Sequence, residues 1–110
     1  MEISWNDFEK VDMRVGTVMT VSNFPEARNA AYQLQIDFGP LGIKKTSAQI
    51  TKRYRKKELV GKQVIAVINF SKKQIANFMS ECLVLGIMGD DKDIILLQPD
   101  ANAQNGDRVG

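Results

Sequence analysis

Between Tyr32 and Phe38 apolar and polar residues alternate without a break, with Tyr32, Leu34, Ile36 and Phe38 set against Gln33, Gln35 and Asp37. Successive side chains of a strand point to opposite faces, so this period of two predicts a half-buried β-strand. Gly39-Pro40-Leu41-Gly42 supplies a turn directly after it. Ile43 to Ile50 then returns as a second strand, made polar and basic by Lys44, Lys45, Thr46 and Ser47. Such a pair must bury its apolar face, so the fold requires further strands.

The rest of the chain provides them. Val11 to Val21 is rich in Val, Met and Thr with Gly16 inside, which predicts a long strand that bends or bulges at the glycine, and Phe24-Pro25-Glu26 breaks it. Val64 to Ile68, Cys82 to Ile87 and Ile94 to Leu97 are short apolar runs of strand length, while residues 52 to 60 are helical in composition. Ser4 and Asp7 stand at capping-box spacing for a short helix through Glu9, with Trp5 and Phe8 on one side. The order predicts a mainly β fold in one domain spanning residues 1–110. Its architecture is the five-stranded Greek-key OB barrel with a helix between strands three and four, a short N-terminal helix and a C-terminal extension.

Three of the runs are apolar at consecutive positions rather than alternating: Val64 to Ile68, Cys82 to Leu85 and Ile94 to Leu97. Parts of both faces of these strands therefore want cover, and a homodimer is the economical source of it.

Composition limits the chemistry. The 110 residues, 44% apolar and 25% charged, suffice for one core, and they include no histidine and a single cysteine, Cys82. Ser-His and Cys-His catalysis, zinc fingers and an internal disulfide are thereby excluded. The expectation is a non-enzymatic protein with neither metal nor cofactor. No apolar run approaches the ~20 residues of a membrane span, which predicts a soluble, cytoplasmic protein with Cys82 reduced and buried. Asp90, Asp91 and Asp93 sit in a turn before the last strand and read as solubilising charge.

The net charge of +2 conceals an uneven distribution: residues 44 to 73 hold ten Lys and Arg against Glu58 alone, and the remainder is net negative. Such asymmetry marks a candidate surface for an anionic partner. Arg28 in the first loop, Lys44 and Lys45 on the third strand, and Lys72 and Lys73 in the loop between the fourth and fifth strands can line a groove for phosphate or carboxylate groups on the expected barrel's binding face. Lys52, Arg53, Arg55, Lys56 and Lys57 cluster at the start of the central helix. Cations there oppose the helix dipole by a few tenths of a kcal/mol each, which suggests an electrostatic docking patch for an acidic partner. Met13, Met19, Met79 and Met88 are flexible apolar groups, and Phe78 with Met79, next to Ser80, is the candidate pair for contact with apolar polypeptide.

Several stretches carry a resemblance over essentially the whole chain: Phe8 to Gly16, Phe24-Pro25-Glu26-Ala27-Arg28, and Gly61-Lys62 ahead of Val67-Ile68-Asn69-Phe70. Together they resemble the tRNA-binding OB domain, found free-standing and appended to some methionyl- and phenylalanyl-tRNA synthetases. Ser47 to Tyr54, Ser80 to Gly86 and Leu96 to Asp100 resemble most the CsaA branch of protein-export chaperones. That resemblance implies a homodimer binding unfolded or presecretory polypeptides and the SecA translocation motor, with tRNA binding as the family's ancestral activity. Asn69 and Ser80 match polar family positions associated with RNA contact. Ala48-Gln49, where tRNA-binding members usually carry Ser-Gly, and Cys82-Leu83, where they carry Gly-Met, depart from the tRNA-binding pattern.

Overall fold

In the computed structural model, which describes residues 1–110, the chain is organised around one long strand, β1 (Met13–Asn23). β1 pairs antiparallel with β2 (Tyr32–Asp37) along its second half and with β4 (Gln63–Val67) along its first. β3 (Ile43–Ala48) returns against β2 as the turn predicts, and β7 (Leu83–Val84) adds to β4. The resulting order, β3-β2-β1-β4-β7, is that of a nearly closed OB-type barrel.

The other elements are small. α1 (Trp5–Glu9) is capped as expected: the Ser4 hydroxyl accepts from the Asp7 N–H at 3.1 Å and the Asp7 carboxylate from the Ser4 N–H at 3.3 Å. α2 (Lys56–Leu59) joins β3 to β4; a hairpin of β5 (Lys73–Ile75) and β6 (Phe78–Ser80) follows β4; β8 (Gly86–Met88) and β9 (Ile94–Leu96) form a second hairpin. β10 (Arg108–Val109) ends the extension, paired to the start of β1.

Inward positions of the strands supply the core. Val18, Leu34, Ile36, Phe38, Val64 and Ala66 are buried together, with Leu59 of α2 entirely removed from solvent among them. Burying a leucine side chain contributes roughly 1.5–3 kcal/mol, so this one residue anchors the short helix.

Five expectations need correction. The irregularity in β1 lies at Met19, where the register slips between Val18 and Thr20, and not at Gly16. Gly16 is needed for space: a Cβ there would lie 2.5 Å from Ile36 Cγ2 and 2.8 Å from the Phe38 ring. The central helix covers Lys56–Leu59 rather than 52 to 60, because the Tyr54 carbonyl accepts the Tyr32 hydroxyl at 2.8 Å and the Tyr54 hydroxyl accepts the Leu96 N–H at 3.0 Å. Tyr54 thus ties strands together instead of continuing a helix. The run from Cys82 to Ile87 divides at Leu85, whose N–H donates to Ile65 on β4 while its carbonyl accepts from Leu97. The loop with Lys72 and Lys73 contains the β5–β6 hairpin.

The fifth correction concerns cover. Val64 to Val67 are all buried within the single chain, so β4 needs no partner. The C-terminal extension runs beside it: the Gln63 amide donates to the Ala103 carbonyl at 2.7 Å and accepts its N–H at 3.0 Å. On the β8–β9 hairpin, by contrast, Ile87 and Ile95 face each other across the strands and both stay exposed.

A candidate binding groove at the barrel seam

The barrel closes where β3 meets the segment from Ser80 to Cys82, and only over a short stretch. The Glu81 N–H donates to the Lys45 carbonyl at 2.8 Å, and the Lys45 N–H donates to the Glu81 carboxylate at 2.9 Å. That hydrogen bond, seconded by Lys72 at 3.6 Å, holds the Glu81 carboxyl below its ordinary pKa against a smaller opposing effect of burial. Beneath it the Thr46 hydroxyl is wholly buried. With each hydroxyl donating once, the shortest contacts run from the Ser47 N–H to Ser80 Oγ (3.3 Å), from Ser80 to Thr46 (2.8 Å), and from Thr46 to the Cys82 carbonyl (2.6 Å). No buried side-chain polar atom in the molecule lacks a partner.

Beyond Ser47 the two sides part. Ala48, Gln49 and Ile50 lie along one bank, the chain from Cys82 to Gly86 along the other, and a groove of about 760 Å³ opens between them. Ile50, Cys82 and Leu96 are buried residues at its base; Phe70, Leu83 and Met88 rise on its walls and remain exposed. The β8–β9 hairpin reaches this position because Gly86 has no side chain: a Cβ there would meet Ile94 Cγ2 at 2.5 Å. Since the strands alternate, Met88, Ile94 and Leu96 turn towards the groove, while Ile87, Ile95 and Leu97 turn away.

Burial pushes the Cys82 thiol up to about 11, only partly offset by the Thr46 hydroxyl, so it is a neutral apolar group at the groove floor. Lys73 lines the groove, and neither it nor Lys44 has a carboxylate within ion-pair distance.

The residues singled out from sequence fall into distinct places. Ser80 lines the groove but its hydroxyl is engaged in the closing network. Asn69 lies outside it: its amide donates to the Lys10 carbonyl at 2.6 Å and accepts the Asp12 N–H at 3.0 Å, fastening the N-terminal segment to the end of β4. Phe78 is half-buried against Phe24, ring centroids 5.4 Å apart, with Lys45 Nζ 5.2 Å from its own centroid. Met79 points from the opposite face of β6, and neither Phe78 nor Met79 lines the groove. Arg28 is exposed in the β1–β2 connection, away from the groove.

The basic stretch also divides. Lys52 pairs with Asp91 at 3.1 Å, and Arg53 makes a two-pronged contact with Asp93 at 2.8 and 2.7 Å that lowers the Asp93 pKa and raises that of the arginine. Asp91 and Asp93 therefore tie the β8–β9 turn to the connection after β3. Arg55, Lys56 and Lys57 remain exposed without carboxylate partners.

Of the four methionines singled out from sequence, Met88 lines the groove; Phe70 and Leu83 are groove residues that the sequence does not single out. The signal for Leu83 is the non-alternating run after Ser80, whose surplus apolar side chains suggest a subunit contact from sequence alone.

Residues 13–108 match the family described as "Putative tRNA binding domain". The chaperone CsaA of Bacillus anthracis str. Ames superposes with a TM-score of 0.96 at 46% identity, all of both chains being covered. CsaA of Picrophilus torridus gives 0.93 at 51% identity, over 99% of this chain and 100% of that one. Methionine–tRNA ligase of Chlorobium chlorochromatii is 34% identical over 107 residues, 97% of this chain but 15% of the ligase. The chain thus spans about a sixth of the length of such ligases. No helix is long and apolar enough to cross a membrane.

Proposed function

The chain belongs to the tRNA-binding domain family, and from that premise we propose that it acts as an export-related chaperone, holding extended segments of unfolded or presecretory polypeptide in the open seam of its barrel. The observation that carries this reading is the apolar groove, whose floor of Ile50, Cys82 and Leu96 presents no free polar side chain except at the rim. Holding a chain this way removes apolar surface from water on both partners, at roughly 25 cal/mol per Å², and needs no catalytic group. The 46% and 51% identities with CsaA chaperones over whole chains favour the same reading.

Two further features complete it. Ile87, Ile95 and Leu97, on the outer face of the β8–β9 hairpin, are exposed apolar side chains suited to a homodimer contact, leaving the groove face free. Arg55, Lys56 and Lys57 are free cations suited to docking an acidic partner surface, and the SecA motor is the partner that the family resemblance implies.

The second reading, tRNA binding, is favoured by the family match and by the unpaired cations Lys44, Lys45 and Lys73 near the closing end of the seam. Phosphate contacts make affinity fall steeply with salt, whereas apolar burial does not. Titration of a labelled presecretory polypeptide and a labelled tRNA in parallel, at two salt concentrations, separates the readings. Polypeptide binding that survives high salt is expected; tight tRNA binding with no polypeptide signal overturns the chaperone reading.

A further inference from the structure

The two edges of the seam are unequal in how their backbone is used. β3 is paired along its whole length on one edge only, to β2. On its other edge Lys45 exchanges both of its backbone groups with Glu81. In an antiparallel strand the polar groups of alternate residues point the same way, so Ser47 presents its own to the seam as well, and Gln49 follows just past the end of β3, on the bank of the groove. The Ser47 N–H meets only the Ser80 hydroxyl, at 3.3 Å, its carbonyl only the Thr46 hydroxyl, at 3.2 Å, which lies closer to the Cys82 carbonyl, and Gln49, exposed, has neither N–H nor carbonyl bonded within the chain. A loosely paired strand edge at Ser47, continued by the free backbone of Gln49, therefore runs along one bank of the apolar groove.

We propose that polypeptide enters the seam as an added strand, paired through its own backbone to the edge of β3 at Ser47 and to Gln49 just beyond it. This rests on the groove being a polypeptide site, and it names the group recognised: the peptide backbone, with side chains read only by their alternation. A strand docked there places every second side chain over Ile50, Cys82 and Leu96 and the intervening ones towards solvent. The occupant is thus an extended segment of another protein, apolar at alternate positions. Lys73, which lines the groove without a carboxylate partner, favours an acidic residue beside the apolar ones. Backbone pairing is indifferent to sequence, which suits a surface that must accept many chains.

The test uses the whole protein and a labelled peptide in which valine alternates with threonine and aspartate. Two variants of the peptide carry N-methyl groups, one on the amides of the valines, the other on those of the residues between. One set should lose about tenfold in affinity and the other little, since only one set of amides faces β3. Binding of the unmodified peptide should also slow hydrogen exchange at the Gln49 amide. A peptide that binds with both methylated sets unaffected, and no protection at Gln49, overturns the strand pairing and leaves the groove as a site for side chains alone. Failure of the unmodified peptide to bind, or its displacement by a short RNA that leaves Gln49 unprotected, overturns the polypeptide reading and this inference together.

Discussion

The seam between β3 and the fifth barrel strand is built in two opposite ways within a few residues. At its closed end every polar group is matched: Glu81 with Lys45 and Lys72, Thr46 with Ser80 and Cys82. At its open end, past Ser47, the strand pairing stops, the Gln49 backbone is left without a partner, and apolar side chains stand exposed across the gap. Buried polar groups must find partners, so the closed end is specified tightly. The open end contributes little to folding and is available to a ligand. The barrel thus fixes one end of its seam in order to present the other.

Damage to the two ends should therefore appear in different measurements. Thr46→Val leaves the Ser80 hydroxyl and the Cys82 carbonyl short of a partner in a buried place, and should lower stability by about 1–3 kcal/mol in urea unfolding. Leu83→Asp, at an exposed position of the open end, should leave stability within about 0.5 kcal/mol of wild type. It should weaken polypeptide binding roughly tenfold, as one apolar anchor on the groove wall is replaced by a charge.

Acid distinguishes the ends again. The Glu81 carboxyl is held below its ordinary pKa, so the stability it contributes is present above the unfolded value of 4.5 and is lost as pH falls through the lower, folded value. Melting temperature should fall through that acid range, and Glu81→Gln should flatten the decline by removing the titration while keeping an oxygen that accepts the Lys45 N–H. The smallest effect is expected beside the open end. Ala76 sits in the β5–β6 turn at a φ of +52°, a backbone region that disfavours a side chain. Ala76→Gly should stabilise the protein by about 0.5 kcal/mol and leave binding unchanged.

Alternation at Tyr32 to Phe38 and the turn after it made β2 and β3 legible from sequence, because both signals are local. The end of α2 was not legible. What stops a helix at Lys56 is the pair of bonds that Tyr54 makes to Tyr32 and to Leu96, partners 22 and 42 residues away. The surplus apolar residues between Cys82 and Leu97 were visible. Their division between a groove face and an outward face depends on the bend at Leu85 and on the space left by Gly86, which tertiary packing alone reveals. Likewise Lys52 and Arg53 look free in the sequence, since Asp91 and Asp93 lie about forty residues further along the chain.

The most direct measurement compares wild type with Leu83→Asp and with the triple variant Arg55→Glu, Lys56→Glu, Lys57→Glu, each titrated at high salt with a labelled, unfolded presecretory polypeptide. An apolar groove at the open seam predicts wild-type binding that persists in high salt, about tenfold weaker binding for Leu83→Asp, and unchanged affinity for the charge-reversed triple variant. Binding that is abolished by salt, indifferent to Leu83→Asp and lost with the three cations would contradict it.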